Sequence, residues 1–341
     1  MGSKVRQAVI MVGGEGTRLR PLTYHRPKAV LPVLDKPCLR YLIESMAAAG
    51  IEEVILACGF DPSKLSGPLG DGSDLGIVIE YSREERPLGT AGAIKQIEDR
   101  LDETFLAANG DVFADVLIKE QIEMHTSSNA AVTIAITPVE KEKTKEFGIA
   151  RLAGDGRIIE FIEKPEPGKA PSDLANAGIY VVNRSVLADV PPGMFNDFSK
   201  DLMPILLKRG DRIQGFRLKG TWRDVGRPSD LLGANLQMAA KLSKDPAGGA
   251  ADSTVIKKPF FMGTGASITD SEAGSAVVME GCIVKKSKIN KSVIMRGCEI
   301  DSARIENSII GEGCRIHGAH IANAVLGDGT VVGECKEQED K

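Results

Sequence analysis

The chain lacks any excess of positive charge: its 341 residues carry 43 Lys and Arg against 47 Asp and Glu, a net of −4. That balance argues against a nucleic acid or an anionic membrane surface as partner. No apolar segment of 18 residues and no secretion signal occurs, so the expected location is the cytoplasm. Met1-Gly2 opens a myristoylation pattern, but Arg6 stands where Ser or Thr is needed. The six cysteines form no Cys-x-x-Cys pair, and reduced, buried thiols are expected. Only four histidines are present, and none stands in a Ser-His or Cys-His arrangement for nucleophilic catalysis.

What the chain does have is a glycine cluster, Gly13-Gly14-Glu15-Gly16-Thr17-Arg18, directly after the apolar run 8–12. A strand followed by such a loop presents bare backbone N–H groups at the strand's C-terminal end, where open α/β sheets bind ligands. Arg18, Arg20, Arg26 and Lys28 follow within eleven positions, a local basic cluster suited to a polyphosphate. A Walker loop would need Gly-Lys-Ser/Thr, which is missing. A dinucleotide fingerprint would need a third glycine where Leu19 stands, and an acidic end to the second strand where Cys58-Gly59 stands. The plain alternative is a surface turn with solvated arginines.

From residue 7 to about 225, short apolar strands alternate with helical patterns. Strands are expected at 51–57, 77–81, 105–108, 131–137 and 178–182, helices at 39–49, 90–99 and 116–125, and an inserted hairpin at 149–161. The alternation implies an α/β fold, a largely parallel, doubly wound sheet with helices on both faces. A helical stretch at 228–244 then meets a linker by composition at 245–250.

Beyond the linker the chain repeats every 16 residues. Gly265, Gly281, Gly297, Gly313 and Gly329 share one column; Met262, Val278, Ile294, Ile310 and Leu326 share another. Ile268, Val284, Ile300, Ile316 and Val332 form a third, and Ile289, Ile305 and Ile321 a fourth, with Ala273 its weak first copy. Cys282, Cys298 and Cys314 keep the same spacing. Three apolar corners per coil describe a triangular β-solenoid whose coils are stable only when stacked. The charged end 334–341 is expected to blunt its last edge.

Two aspartates stand at strand ends. Asp111 follows the strand at 105–108, with Gly110 allowing a turn, and Asp224 ends Thr221-Trp222-Arg223-Asp224. In a doubly wound sheet both places face one crevice, where carboxylates and phosphates would repel unless Mg²⁺ bridged them. The alternative is that each aspartate merely caps its own turn. Glu163-Lys164-Pro165 closes another strand, with proline forcing the chain out where Glu and Lys project.

With these motifs in order, the chain resembles the sugar-1-phosphate nucleotidylyltransferases, most closely the mannose-1-phosphate guanylyltransferases. The carriers are Gly13 through Lys28, Asn109-Gly110-Asp111, Glu163-Lys164-Pro165, Asn176-Ala177-Gly178-Ile179-Tyr180 and Trp222 through Gly226. The resemblance implies a Rossmann-like nucleotidyltransferase domain at 1–244 and a left-handed parallel β-helix at 254–335. It implies transfer of a nucleotidyl group from a nucleoside triphosphate to a hexose-1-phosphate, with release of pyrophosphate. Under it, Arg18 and Lys28 hold the triphosphate, Asp111 and Asp224 hold Mg²⁺, and Lys164 contacts the sugar phosphate. Gly13, Gly14, Gly16, Thr17, Gly89 and Thr90 line the nucleotide; Asn109, Gly148, Glu163 and Asn176 line the sugar.

Glu84 stands where uridylyl and thymidylyl members place a glutamine. A carboxylate only accepts, and guanine offers paired N1–H and N2–H₂ donors, so Glu84 is expected to read guanine. GTP and mannose-1-phosphate are therefore expected, with a glucose-1-phosphate uridylyl- or thymidylyltransferase as the alternative. A non-catalytic regulatory subunit is a further rival, weakened because all five charged site residues are present. His317 and His320 invite an acyltransferase reading of the solenoid, but five coils make a short prism and both are expected to face solvent. The solenoid's expected work is assembly of a homo-oligomer.

Overall fold

The computed structural model describes residues 5–14, 16–242 and 253–333. The expected linker at 245–250 and the charged end at 334–341 lie outside the described residues. In chain order run β1 (Gln7–Val12), β2 (Pro32–Val33), β3 (Lys36–Pro37), α1 (Cys38–Ala48), β4 (Glu53–Cys58) and α2 (Ser63–Leu69). Next come β5 (Val78–Arg83), α3 (Gly89–Gln96), β6 (Thr104–Asn109), β7 (Val112–Val116), α4 (Lys119–Ser128) and β8 (Val132–Pro138). Then follow β9 (Gly148–Leu152), β10 (Ile158–Glu163), β11 (Leu174–Asn183), α5 (Met203–Arg209), β12 (Ile213–Arg217), β13 (Gly220–Asp224) and α6 (Pro228–Leu242). The chain forms two compact units, Met1–Gly14 with Leu39–Trp222, and Glu15–Cys38 with Arg223–Lys341.

The first unit is built on a nine-stranded sheet. Every residue of β1 is buried, as its unbroken apolar run demands of a central strand covered on both faces. β5, β4, β1 and β6 lie side by side and parallel, with Val12 opposite Cys58 and Met11 opposite Asn109. The C-terminal ends of β1, β4 and β6 therefore share one edge, and the loops after them begin Gly13, Gly59 and Gly110.

Beyond β6 the sheet departs from the parallel expectation. β11 runs antiparallel to both β6 and β8, and β9 and β10 form the expected hairpin beside it. β9 lies between β10 and β11 and runs antiparallel to both. The helix expected from 116 starts at Lys119, because Val116 completes β7. Under the sheet, Phe105, Tyr180 and Phe198 are fully buried, each worth about 1.5–3 kcal/mol of apolar transfer.

In the second unit the 16-residue columns become ladders. Met262, Val278, Ile294, Ile310 and Leu326 pair in parallel register from coil to coil. So do Ile268 to Val332, and Ala273 to Ile321. Three ladders make three faces, the architecture of a left-handed β-helix. The glycine column has φ between 64° and 69°, the left-handed corner conformation that a Cβ disfavours. The cysteine column is buried and free, each thiol donating to a carbonyl of the next coil, as Cys282 Sγ does to Met295 O at 3.0 Å.

α6 packs against the first coils of the β-helix, and Leu231, Ala234, Met238 and Ala239 are its buried apolar residues. Asn235, in the middle of that apolar stripe, is fully buried. It accepts from Leu34 N–H at 2.7 Å and donates to Pro32 O at 3.2 Å, which fixes the β2–β3 turn.

Candidate active site

In the first unit, Gly13 and Gly14 are exposed, and a Cβ built on either meets no atom within 4 Å. Nothing in the protein's own packing requires glycine there; the space above the β1 terminus is open for a ligand. Gly59 lies alongside, where a Cβ would come 3.0 Å from Gly13 Cα. Gly110 has no positive φ; it is glycine because a Cβ would press to 2.7 Å from Val12 Cγ2 and 3.0 Å from Met11 O. Its bareness seats the turn against β1 and leaves Asp111 exposed after it.

Asn109, at the end of β6, keeps its Oδ1 buried without a hydrogen-bond partner, while its amide lies against Gly178. A buried acceptor of that kind marks a place for an incoming donor. Asn176 is differently employed. Its Nδ2 donates to Tyr180 Oη at 2.8 Å and Ser199 Oγ at 3.2 Å, and its Oδ1 accepts from Gly178 N–H at 2.9 Å. It anchors the bulge in β11 with every polar atom committed to the protein.

Glu163 ends β10 directly over Gly148, where a Cβ would meet its Oε2 at 2.6 Å. Its side chain is mostly covered, and burial pushes its carboxyl up from the usual carboxylate range against the pull of Lys164. Lys164 takes the left-handed conformation, φ 49°; its side chain is 58% exposed, with Nζ 3.9 Å from Glu163 Oε1. That backbone, uncommon for a lysine, throws the cation outward.

Glu84 Oε2 accepts from Leu88 N–H at 3.0 Å and caps its own loop, and burial raises its pKa. Gly89, φ 72°, has no room for a Cβ because Asn196 O would lie at 2.6 Å. Thr90 Oγ1 accepts from Phe198 N–H at 2.7 Å and donates to Asp197 at 3.3 Å. Thr90 thus holds the segment 195–198 in place, a neighbour that strand and helix periodicity did not mark. Trp222 Nε1 donates to Ala177 O at 2.8 Å and its ring leans on Phe147.

In the second unit, Gly16 at φ 63° opens the 3₁₀ turn Thr17–Leu19, and Thr23 Oγ1 donates to its carbonyl at 2.8 Å. Thr17 and Arg18 are exposed. Lys28 begins a second turn, its side chain only 10% exposed, with Nζ 3.7 Å from Asp224 Oδ1. Gly226 sits where a Cβ would meet Arg18 Nη2 at 3.2 Å and Asp224 Oδ2 at 3.3 Å. Arg18 and Lys28 therefore gather at one place with Asp224, which comes far later in the sequence. Arg26 does not join them as the sequence pattern suggested: its guanidinium is bound by Glu312 and Asp328.

The nucleotidyl transferase family model matches residues 7–241, and a GlmU-like C-terminal hexapeptide model matches 260–337. The chain belongs to the nucleotidyl transferase family. Among its relatives are a mannose-1-phosphate guanylyltransferase of Mycobacterium tuberculosis, 38% identical over 242 residues, and a mannose-1-phosphate guanyltransferase of Yarrowia lipolytica, 38% over 244. Each match covers 70% of this chain, and 66% and 65% of those relatives, so the chain spans just under two thirds of the curated relatives' length. A UDP-glucose pyrophosphorylase from Acinetobacter baumanii shares the fold, with TM-score 0.60, 23% identity, and 71% of this chain and 95% of that one covered. The family fits the edge formed by β1, β4 and β6. His317 and His320 are exposed beside Asp301 and Glu306, as expected of surface histidines. No helix among the described residues is long and apolar enough to cross a membrane.

Proposed function

We propose that this chain transfers a nucleotidyl group from GTP to mannose-1-phosphate, giving the nucleotide-sugar and pyrophosphate. The observation that carries the reading is the gathering of Arg18, Lys28 and Asp224 beside Gly226. A phosphate oxygen of the sugar phosphate attacks the α-phosphorus in line; the bond to the bridging oxygen breaks, and pyrophosphate leaves with its electrons. Both reactants are anions, so the barrier is chiefly positional and electrostatic. Arg18 and Lys28 receive the charge that grows on pyrophosphate, and Lys164 draws in the sugar phosphate. Gly13, Gly14, Gly16 and Thr17 let the nucleotide lie on bare backbone. The unpartnered Asn109 Oδ1 and the carboxylate of Glu163 accept from sugar hydroxyls, while Gly148 and Asn176 set their shape.

Asp111, exposed after β6, and Asp224, part-buried at the end of β13, each offer carboxylate oxygens of the hard kind that would suit Mg²⁺. Among the described residues no three acidic, histidine or cysteine side chains form a metal cage. Mg²⁺ bound there supplies neutralisation of the phosphates. Glu84 is the proposed guanine reader, which supports GTP over UTP, and the relatives' names support mannose.

The test is pyrophosphate release by the purified chain over five triphosphates and several hexose-1-phosphates, with and without Mg²⁺. A UTP or dTTP preference with glucose-1-phosphate would overturn the specificity. No release with any pair would leave the regulatory-subunit reading. A cytoplasmic homo-oligomer built through the β-helix is the proposed assembly, to be read by light scattering.

A further inference from the structure

One cation of the signature segment is held by carboxylates of the β-helix. Arg26 Nη1 lies 2.7 Å from Glu312 Oε1, and Nη2 donates to Glu312 Oε2 at 2.9 Å and to Asp328 Oδ2. Glu312 also receives Arg296 Nη2 at 2.7 Å, and its own N–H donates to Asp328 Oδ1 at 2.8 Å. Burial alone would raise the Glu312 carboxyl, yet the two guanidinium groups hold it below its usual range. Beside this network Pro21 packs on Gly327, where a Cβ would intrude to 3.2 Å.

The same segment is pinned again further on. Asp35 Oδ1 accepts from Glu280 N–H at 3.0 Å, and Gly263 is bare where a Cβ would meet Asp35 Oδ2 at 2.5 Å. The stretch from Pro21 to Asp35 is thus clamped onto β-helix coils at both ends, with Lys28 between the clamps.

We infer that the β-helix is the scaffold that pre-forms the triphosphate loop, with Arg26 as a positioning residue that acts through Glu312 and Asp328 rather than on substrate. A loop held in its bound shape before the ligand arrives spares the ordering cost at binding. A bidentate guanidinium–carboxylate pair supplies direction as well as strength.

The kinetic arm of the test rests on the function proposed above; the exchange arm does not. Glu312→Gln with Asp328→Asn keeps shape and removes charge. It should raise the triphosphate KM about tenfold while the hexose-1-phosphate KM stays within twofold. Arg26→Met should do the same, and should add nothing on the Glu312→Gln, Asp328→Asn background. Independently of turnover, hydrogen exchange over residues 17–31 should quicken at least tenfold in both variants, with protection of the solenoid core at 289–310 kept. Arg26→Lys should recover only part of both effects, since an ammonium cannot make the fork. If Arg26 instead bound phosphate directly, neutralising its carboxylate partners would lower the triphosphate KM or leave it unchanged. Either result, or unaltered exchange in the loop, overturns the inference.

Discussion

Replacing Lys28 by Met removes one buried charge and little volume, and its effect can be estimated from the geometry. Nζ lies 3.7 Å from Asp224 Oδ1, and the two side chains are 10% and 31% exposed. At that distance and an effective dielectric of about 20, two unit charges interact by about 4.5 kcal/mol. Folding recovers only part of this, because desolvating the ammonium opposes it and water still reaches Asp224. A stability loss of about 1–2 kcal/mol is expected for Lys28→Met. Under the proposed function, the same ammonium acting on pyrophosphate oxygens is worth more, since their charge grows only as the bond breaks. Loss of one such donor should lower kcat by about 10²–10³-fold, or about 3–4 kcal/mol. The assay is pyrophosphate release at saturating substrates, alongside thermal unfolding, with Lys169→Met as the surface-charge control. Lys28→Met with kcat within threefold of the parent would refute the placement of Lys28 in the phosphate site.

Three further outcomes follow from other parts of the molecule. Gly14→Ala should leave unfolding temperature unchanged or slightly raised, because the added Cβ meets nothing and the unfolded chain loses freedom worth about 0.4–1 kcal/mol. Its triphosphate KM should nevertheless rise severalfold, and an unchanged KM would show that the ligand lies elsewhere. Ile305→Ala, in a fully buried ladder position, should cost about 2–5 kcal/mol, read by denaturant unfolding of the β-helix. His125 is buried between Thr133 Oγ1 at 2.9 Å and Asn183 Oδ1 at 3.0 Å, and burial depresses its pKa. The neutral ring's contribution is therefore present above the unfolded-state pKa of about 6.5 and declines as pH falls below it. Stability measured from pH 7 to 5 should drop more steeply in the parent than in His125→Gln, and parallel curves would refute the assignment.

What could be read from the chain alone was whatever repeats or alternates locally. The β-helix declared itself because every coil must place its apolar corners at the same offsets to stack, so Ile289, Ile305 and Ile321 carry the same information three times. The parallel strands β1, β4 and β6 were legible because strands buried on both faces are unbroken apolar runs. β11 was found as a strand, but its direction was not, since strand direction is set by the connection and periodicity is silent on it. The site divides the same way. Residues whose chemistry comes with a neighbouring motif, such as Asp111 after Gly110 or Lys164 before Pro165, could be nominated. Arg26 could only be misjudged: in sequence it is one more cation in a basic loop, and its partners lie 286 and 302 residues away. Asn235 hides for a like reason, an amide on an apolar helix face whose partner Leu34 is 201 residues distant. Local pattern thus nominates groups for a phosphate site. Which of them is spent holding the loop is decided by the β-helix, so a motif match overcounts its ligands wherever a second structural element competes for the same cation.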